Sequence, residues 1–361
     1  MNLRTLSLCL LSLPLLAGCG GGEPAKKGEA APPSFTLAWS EYPSWSVFGV
    51  ASSKGLIDGE KGKLGPIEKK WNVDIVLKQA DYDPCLTMYG SSACDAVCIT
   101  NMDVLSPSLS RESVAILPTS TSDGADACIT VGVADVKDLS KHKIYGLSKS
   151  VSEYCFVRNL EKLGQPEAEF KFTNMDPAEA AKAMQLKKEG YEAIMVWNPF
   201  VLQTLKTNPD AKVLFDSSTI PGEIIDMVVI AKDSLDKPGG RAFGCAIVDT
   251  FYELNKLIEA PTTRSETLVA LGSKFSNLEL AEMETVVQQT KFYKTPEEGL
   301  AVFTGPNLPE IMKTVVDFCV KHDIVKESPK IGYGKEPGQL RFDPSLIEEV
   351  KAKAGDKAAA K

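Results

Sequence analysis

From Phe35 onward the chain alternates short apolar runs with longer amphipathic stretches, and it does so twice. Phe35–Trp39, Val73–Leu77, Asp95–Thr100, Val114–Leu117 and Ala127–Val131 read as strands, with helical stretches near 46–56 and 82–90. The rhythm restarts at Lys143–Leu147, Phe170–Phe172, Glu192–Trp197 and Lys212–Phe215, with helices near 150–163 and 177–188, and Ile224–Ala231 reads as a return strand. Beyond Asp233, apolar spacing near three and four predicts helix almost continuously to about His322. Strand–helix alternation predicts mostly parallel sheets with helices on their faces. Two such runs and a helical C-terminal third imply an α/β chain of two lobes, the second inserted in the first. The predicted boundaries are 35–130 plus 231–345 for lobe 1 and 131–230 for lobe 2, with a hinge near 128–132 and 228–234. Loops at the carboxyl ends of the strands then face a cleft between the lobes, the usual ligand position in open α/β sheets.

What precedes the alternation reads as targeting. Residues 1–18 hold Arg4, an apolar run from Leu6 to Leu16, and the small residues Ala17 and Gly18 ahead of Cys19, the pattern of a secretory signal. The run is too short for the roughly 20 apolar residues that span a bilayer. Leu16-Ala17-Gly18-Cys19 resembles the lipobox of bacterial lipoproteins, which implies acylation of Cys19 as the first mature residue. An ordinary signal peptide with an incidental cysteine is the alternative. Residues 19–34 are rich in Gly, Pro, Ala, Lys and Glu and read as a flexible tether, and 346–361 as a solvated tail, with a frayed helix over 351–361 as the alternative. The expected location is the cell envelope outside the cytoplasmic membrane, with membrane contact through the lipid anchor only. Of nine cysteines, Cys9 falls in the leader and Cys19 at its end, leaving Cys85, Cys94, Cys98, Cys128, Cys155, Cys245 and Cys319. Cys94-x3-Cys98 lacks the spacing of a zinc or redox pair, so core thiols are expected, with one or two disulfides as the alternative.

Charge and histidine content exclude whole classes of function. A net charge of −8 with no dense basic run argues against nucleic acid as a partner. The two histidines, His142 and His322, are far apart and flanked by lysines, which argues against a multi-histidine metal site and most serine–histidine schemes. No phosphate-cradling glycine loop follows a strand. No catalytic residue, metal or cofactor is therefore expected.

The loops predicted to reach the cleft carry acids and aromatics. Glu41, Tyr42 and Trp45 follow the first strand, where rings hold planar or cationic groups; Trp45 alternatively anchors the next helix in the core. Asn101 and Asp103 follow the buried run at 95–100, with Asp103 either facing the ligand or capping the next helix. Ser148 and Ser152 surround a helix start in lobe 2, where free N–H groups favour a carbonyl or anion, or where simple capping suffices. Trp197 and Asn198 end a lobe-2 strand as stacking platform and hydrogen-bond fork. Glu223 and Asp226 lie in an apolar return segment and need a partner, either Lys212 or Arg241 or a bound cation. Lys149 is nearly the only basic residue on these loops. An anion cleft would be expected to carry Arg, so the imbalance favours a cationic or N–H-rich ligand such as guanidinium, and urea less well.

Several segments carry a family resemblance. Trp39–Trp45, Thr100–Asp103, Trp197–Pro199, Phe215–Asp226 and Leu340–Asp343 resemble the substrate-binding components of ABC importers of the nitrate/taurine/thiamine-precursor class. Within it they look most like the branch associated with urea carboxylase, over about residues 35–345. The resemblance implies a type II periplasmic-binding fold and a monomeric lipoprotein. Such a protein captures a small nitrogenous solute and delivers it to an ABC permease and its ATPase subunits. Another small amine, an anion such as sulfonate or nitrate, or a same-fold enzyme of pyrimidine-type chemistry are the alternatives.

Overall fold

The computed structural model describes residues 31–275 and 278–359. The leader, Cys19 and most of the expected tether lie outside these residues. In chain order the strands are β1 (Ser34–Trp39), β2 (Asp74–Gln79), β3 (Ala96–Thr100), β4 (Ser113–Thr121), β5 (Asp126–Val131) and β6 (Lys143–Gly146). They continue with β7 (Lys171–Asn174), β8 (Ala193–Trp197), β9 (Ala211–Asp216), β10 (Ile225–Ala231), β11 (Ile331–Tyr333) and β12 (Leu340–Phe342). One sheet has the order β11-β12-β4-β10-β3-β1-β2, the other β7-β6-β8-β5-β9. The fully buried runs Ala96–Thr100 and Ala193–Trp197 take central positions. That is where a strand covered on both faces belongs.

Pairing is parallel except around two strands. β10 runs antiparallel to β3 and β4, and β5 antiparallel to β8 and β9. These strands join the sheets: 122–125 leads from β4 into β5, and 217–224 leads from β9 back into β10. Both crossings precede the expected hinge positions at 128–132 and 228–234. The reason is hydrogen bonding, since residues 128–131 are paired with β9 and 228–231 with β4.

Two features escape the sequence pattern. β11 and β12 have three residues each, too few for an alternation to register, yet they extend the first sheet alongside β4. The tail takes the helical alternative, as helix Ser345–Ala359, and the solvated expectation is corrected for its start, because Leu346, Ile347 and Val350 are buried, while 351–355 are exposed. Leu346 packs on helix Gly240–Glu259 at Gly244, where a Cβ would sit 2.3 Å from a Leu346 methyl group. The seven cysteines of the described residues are all free and buried, and burial pushes the Cys85 and Cys94 thiols up to about 12 and about 11.

Candidate functional site

Strand ends from both sheets meet around one small cavity. The first sheet supplies Thr100 from the end of β3 and Asp226 from the start of β10. Tyr42 and Trp45 come from the helix Pro43–Ser53 that follows β1, and Tyr82 opens helix Tyr82–Gly90 after β2. The second sheet supplies Asp126 from the start of β5, Trp197 from the end of β8, and Val151, the first residue of helix Val151–Lys162. Ile224, on the return crossing, completes the wall. The atom-free space, which opens in part to solvent, is about 250 Å³. Such a space suits an occupant of a few heavy atoms.

The aromatic wall is a chain of ring contacts. Tyr42 and Trp45 have centroids 4.8 Å apart, Trp45 stacks on Tyr82 at 5.3 Å, and Tyr82 meets Trp197 edge-on at 5.7 Å. The Trp45 indole N–H is buried without a hydrogen-bond partner, whereas the Tyr42 hydroxyl faces Asp226 and Ser122. Burial and the Asp226 and Asp126 charges hold the Tyr42 phenol well above its usual value.

Acids converge on the same space. The Asp126 side chain is fully buried, and its carboxyl is pushed up to about 7 by burial, with Asp103 adding to the rise and Ser122 opposing it. Asp226 accepts from the Ser120 hydroxyl at 2.5 Å. Burial first, then the charges of Asp126 and Asp103, raise it well above the carboxylate range. The ladder between β10 and β4 shifts register between Asp226 and Met227, opposite Pro118, which has no N–H to give. Such bulges re-aim side chains beside functional sites. Asp103 stands behind the wall, accepting from Tyr82 Oη at 2.7 Å and Thr100 Oγ1 at 2.8 Å. Burial pushes it to about 6 despite those two hydroxyls and the Val151 N–H. No Lys, Arg or His lines the cavity.

The residues expected from the sequence divide into two groups. Tyr42, Trp45, Trp197 and Asp226 line the cavity, and Asp103 braces it while also closing its own turn, donating its N–H to Thr100 Oγ1. Ser152 is buried next to Val151, its hydroxyl unpartnered. The others lie elsewhere. Asn101 donates to the Glu223 carbonyl and accepts from the Ile225 N–H, pinning the return crossing. Ser148 offers its backbone N–H to Asn174, and the helix cap is Ser150. Glu41 lines a separate hollow with Pro43, Ser46 and Pro199; burial and then the Asp81 and Asp176 charges raise its pKa. Asn198 donates to Gln289 at 2.8 Å.

Glu223 is claimed by Arg158, through Nε at 2.8 Å and Nη2 at 2.9 Å, and by the Tyr154 hydroxyl at 2.6 Å. Although burial works to raise it, Arg158 and Tyr154 keep it below the usual carboxylate range. This partner is neither Lys212 nor Arg241, because helix Val151–Lys162 turns Arg158 toward the crossing. The residues missed from sequence are Asp126, Tyr82, Thr100, Val151 and Ile224. Asp126 had a signal: an acid set directly before the apolar run Ala127–Val131, with the same need for a partner as Asp226.

Among the described residues no cluster of three or more His, Cys, Asp or Glu has the geometry of a metal site, and no helix is long and apolar enough to cross a membrane. His142 and His322 lie outside the cavity wall, beside Glu192 and Glu167. No family model and no curated protein matches the chain. Solved structures do. The periplasmic aliphatic sulphonate-binding protein of Escherichia coli superposes with a TM-score of 0.64 at 17% identity, covering 82% of this chain and 90% of that one. The periplasmic nitrate-binding protein of Synechocystis gives 0.54 at 11% identity, covering 89% and 98%. A Candida albicans protein described as having the generic periplasmic binding protein fold gives 0.61 at 14%, covering 88% and 94%. At these identities the likeness is one of architecture: the chain has the two-sheet α/β periplasmic-binding-protein fold, with the second sheet inserted in the first and a helical C-terminal third.

Proposed function

We propose that this protein is an extracytoplasmic solute-binding protein, lipid-anchored at Cys19, that closes its lobes on a small cationic nitrogenous solute and delivers it to an ABC permease. A guanidinium-like ion is the best match. The observation that carries this reading is the cavity wall, in which Asp126 and Asp226 face a 250 Å³ space among four aromatic rings with no basic side chain. Guanidinium is planar, charged and composed of donors, so it pairs with carboxylates and lies against rings. An isolated ion of the opposite sign would meet two buried acids and nothing to neutralise it. The neighbours in fold whose descriptions name sulphonate or nitrate therefore guide the transport role rather than the ligand.

Urea is the second reading, and one observation favours it. The Trp45 indole N–H is an unpartnered donor on the wall, suited to a carbonyl oxygen. Binding rather than catalysis is supported by the position of both histidines away from the cavity. The test is thermal unfolding of the chain with guanidinium, methylguanidinium, urea, choline, taurine and nitrate in turn. Guanidinium should give the largest upward shift through linkage. A shift with taurine or nitrate and none with the nitrogenous solutes would contradict the proposal.

A further inference from the structure

A second hollow lies at the opposite pole of the first sheet. β1, β3 and β4 run from this pole to the cavity, and β10 runs back to it, so Ser34, Ala96, Ser113 and Ala231 mark one end and Thr100 and Asp226 the other. At this far end, Glu112, Lys232, Lys330, Lys335, Gln339 and Arg341 surround a hollow of about 520 Å³. Four cations and one acid therefore face one space in a chain whose net charge is −8.

The cations come from different elements and are differently committed. Lys232 opens a short helix after β10 and is paired with Asp236. Arg341, on β12, is anchored through Nη1 alone, to the Gly334 carbonyl at 3.0 Å and Asp343 at 2.7 Å. That leaves its Nε and Nη2 donors without a protein partner among the described residues. Lys330 and Lys335 form no ion pair among the described residues. Lys330 precedes β11 and Lys335 lies in the β11–β12 connection, whose shape is fixed by glycines. Gly334 has φ +62°, and a Cβ on Gly338 would sit 2.5 Å from the Gly332 nitrogen. The two strands and their connection thus present two uncommitted ammonium groups and half a guanidinium to the same hollow.

We propose that this hollow is an anion site for a phosphate group carried on a small organic alcohol, separate from the solute cavity. A multi-oxygen anion can use the fixed Arg341 fork and several ammonium point charges together. The hollow is larger than inorganic phosphate alone needs, which leaves room for an esterified group. Two sources share this chemistry, a soluble phosphate ester and a phospholipid headgroup.

The experiment titrates the full chain with inorganic phosphate and with glycerol phosphate by calorimetry. In parallel it measures co-sedimentation with phosphatidylglycerol and phosphatidylcholine vesicles. The wild type is compared with the exposed double variant Lys330→Glu/Lys335→Glu and with the cavity variant Asp126→Asn. Every variant keeps residues 1–31, so any vesicle binding by that segment is common to all. The expected result is glycerol phosphate binding that falls at least tenfold in the double variant and is unchanged in Asp126→Asn. A phosphatidylglycerol-dependent increment lost in the double variant assigns a headgroup, and soluble binding alone assigns a free ester. The proposal is overturned if neither soluble phosphate nor vesicles bind, if the double variant binds as well as wild type, or if Asp126→Asn abolishes the binding. Unchanged thermal unfolding of the double variant without phosphate separates loss of the site from loss of the fold.

Discussion

At the residue scale the cavity acids couple ligand binding to protons. An aspartate in an unfolded chain titrates near ~3.9, whereas burial raises Asp126 to about 7 and Asp226 well above the usual range. A raised carboxyl contributes stability that is present below the unfolded value and lost as pH rises through the folded one. The ligand-free protein should therefore unfold at lower temperature at pH 8 than at pH 5. Asp126→Asn should remove part of that loss, up to about 3 kcal/mol, because only the roughly two pH units between pH 5 and its folded value count. Thermal unfolding of both proteins at the two pH values checks this, and a variant no more stable than wild type at pH 8 contradicts it. The same substitution should weaken binding of a cationic solute at least a hundredfold, since it removes one of the two carboxyl groups that can ionise against it. Tyr42, Trp45, Trp197 and Asp226, which line the cavity, were legible as candidates because aromatic and acidic side chains at strand ends stand out against apolar runs. Asp126 was not, because the apolar strand was read as starting one residue after it.

At the scale of elements, the strands were legible to within a residue or two where apolar residues ran together, as in β3, β8 and β10, but β4 runs on past its apolar run Val114–Leu117 to Thr121. β11 and β12 were not, since three residues carry no period. The packing of helix Ser345–Ala359 was hidden by its Lys- and Ala-rich second half, while the buried face rests on Leu346, Ile347 and Val350 near its start. Leu346→Ala should cost about 2–4 kcal/mol in denaturant unfolding, the usual range for emptying a fully buried leucine site. A loss below half a kcal/mol would mean that this helix does not pack on Gly244. The pairing of Glu223 with Arg158 and Tyr154 ties the return crossing to helix Val151–Lys162. Glu223→Gln should therefore cost about 1–2 kcal/mol of stability, as expected for partly buried bonds to a charge, while solute affinity changes less than about threefold. A collapse of affinity with stability intact would make Glu223 a ligand contact instead.

For the whole molecule, the two crossings at 122–125 and 217–224 join sheets whose facing ends both contribute to the cavity. Asp226 belongs to one sheet and Asp126 to the other, so bringing the lobes together brings two acids together. Closure without a cation works against their mutual repulsion and desolvation, and a cation between them removes that cost. Solution scattering should accordingly show a smaller radius of gyration with guanidinium than without it. Calorimetric titration of the chain with guanidinium at pH 8 and pH 5.5 tests the central claim most directly. The account predicts one site per chain, with affinity falling at least tenfold at the lower pH because the solute must displace protons from Asp126 and Asp226. Binding of taurine or nitrate in place of guanidinium, or guanidinium binding that is the same at both pH values, would contradict it.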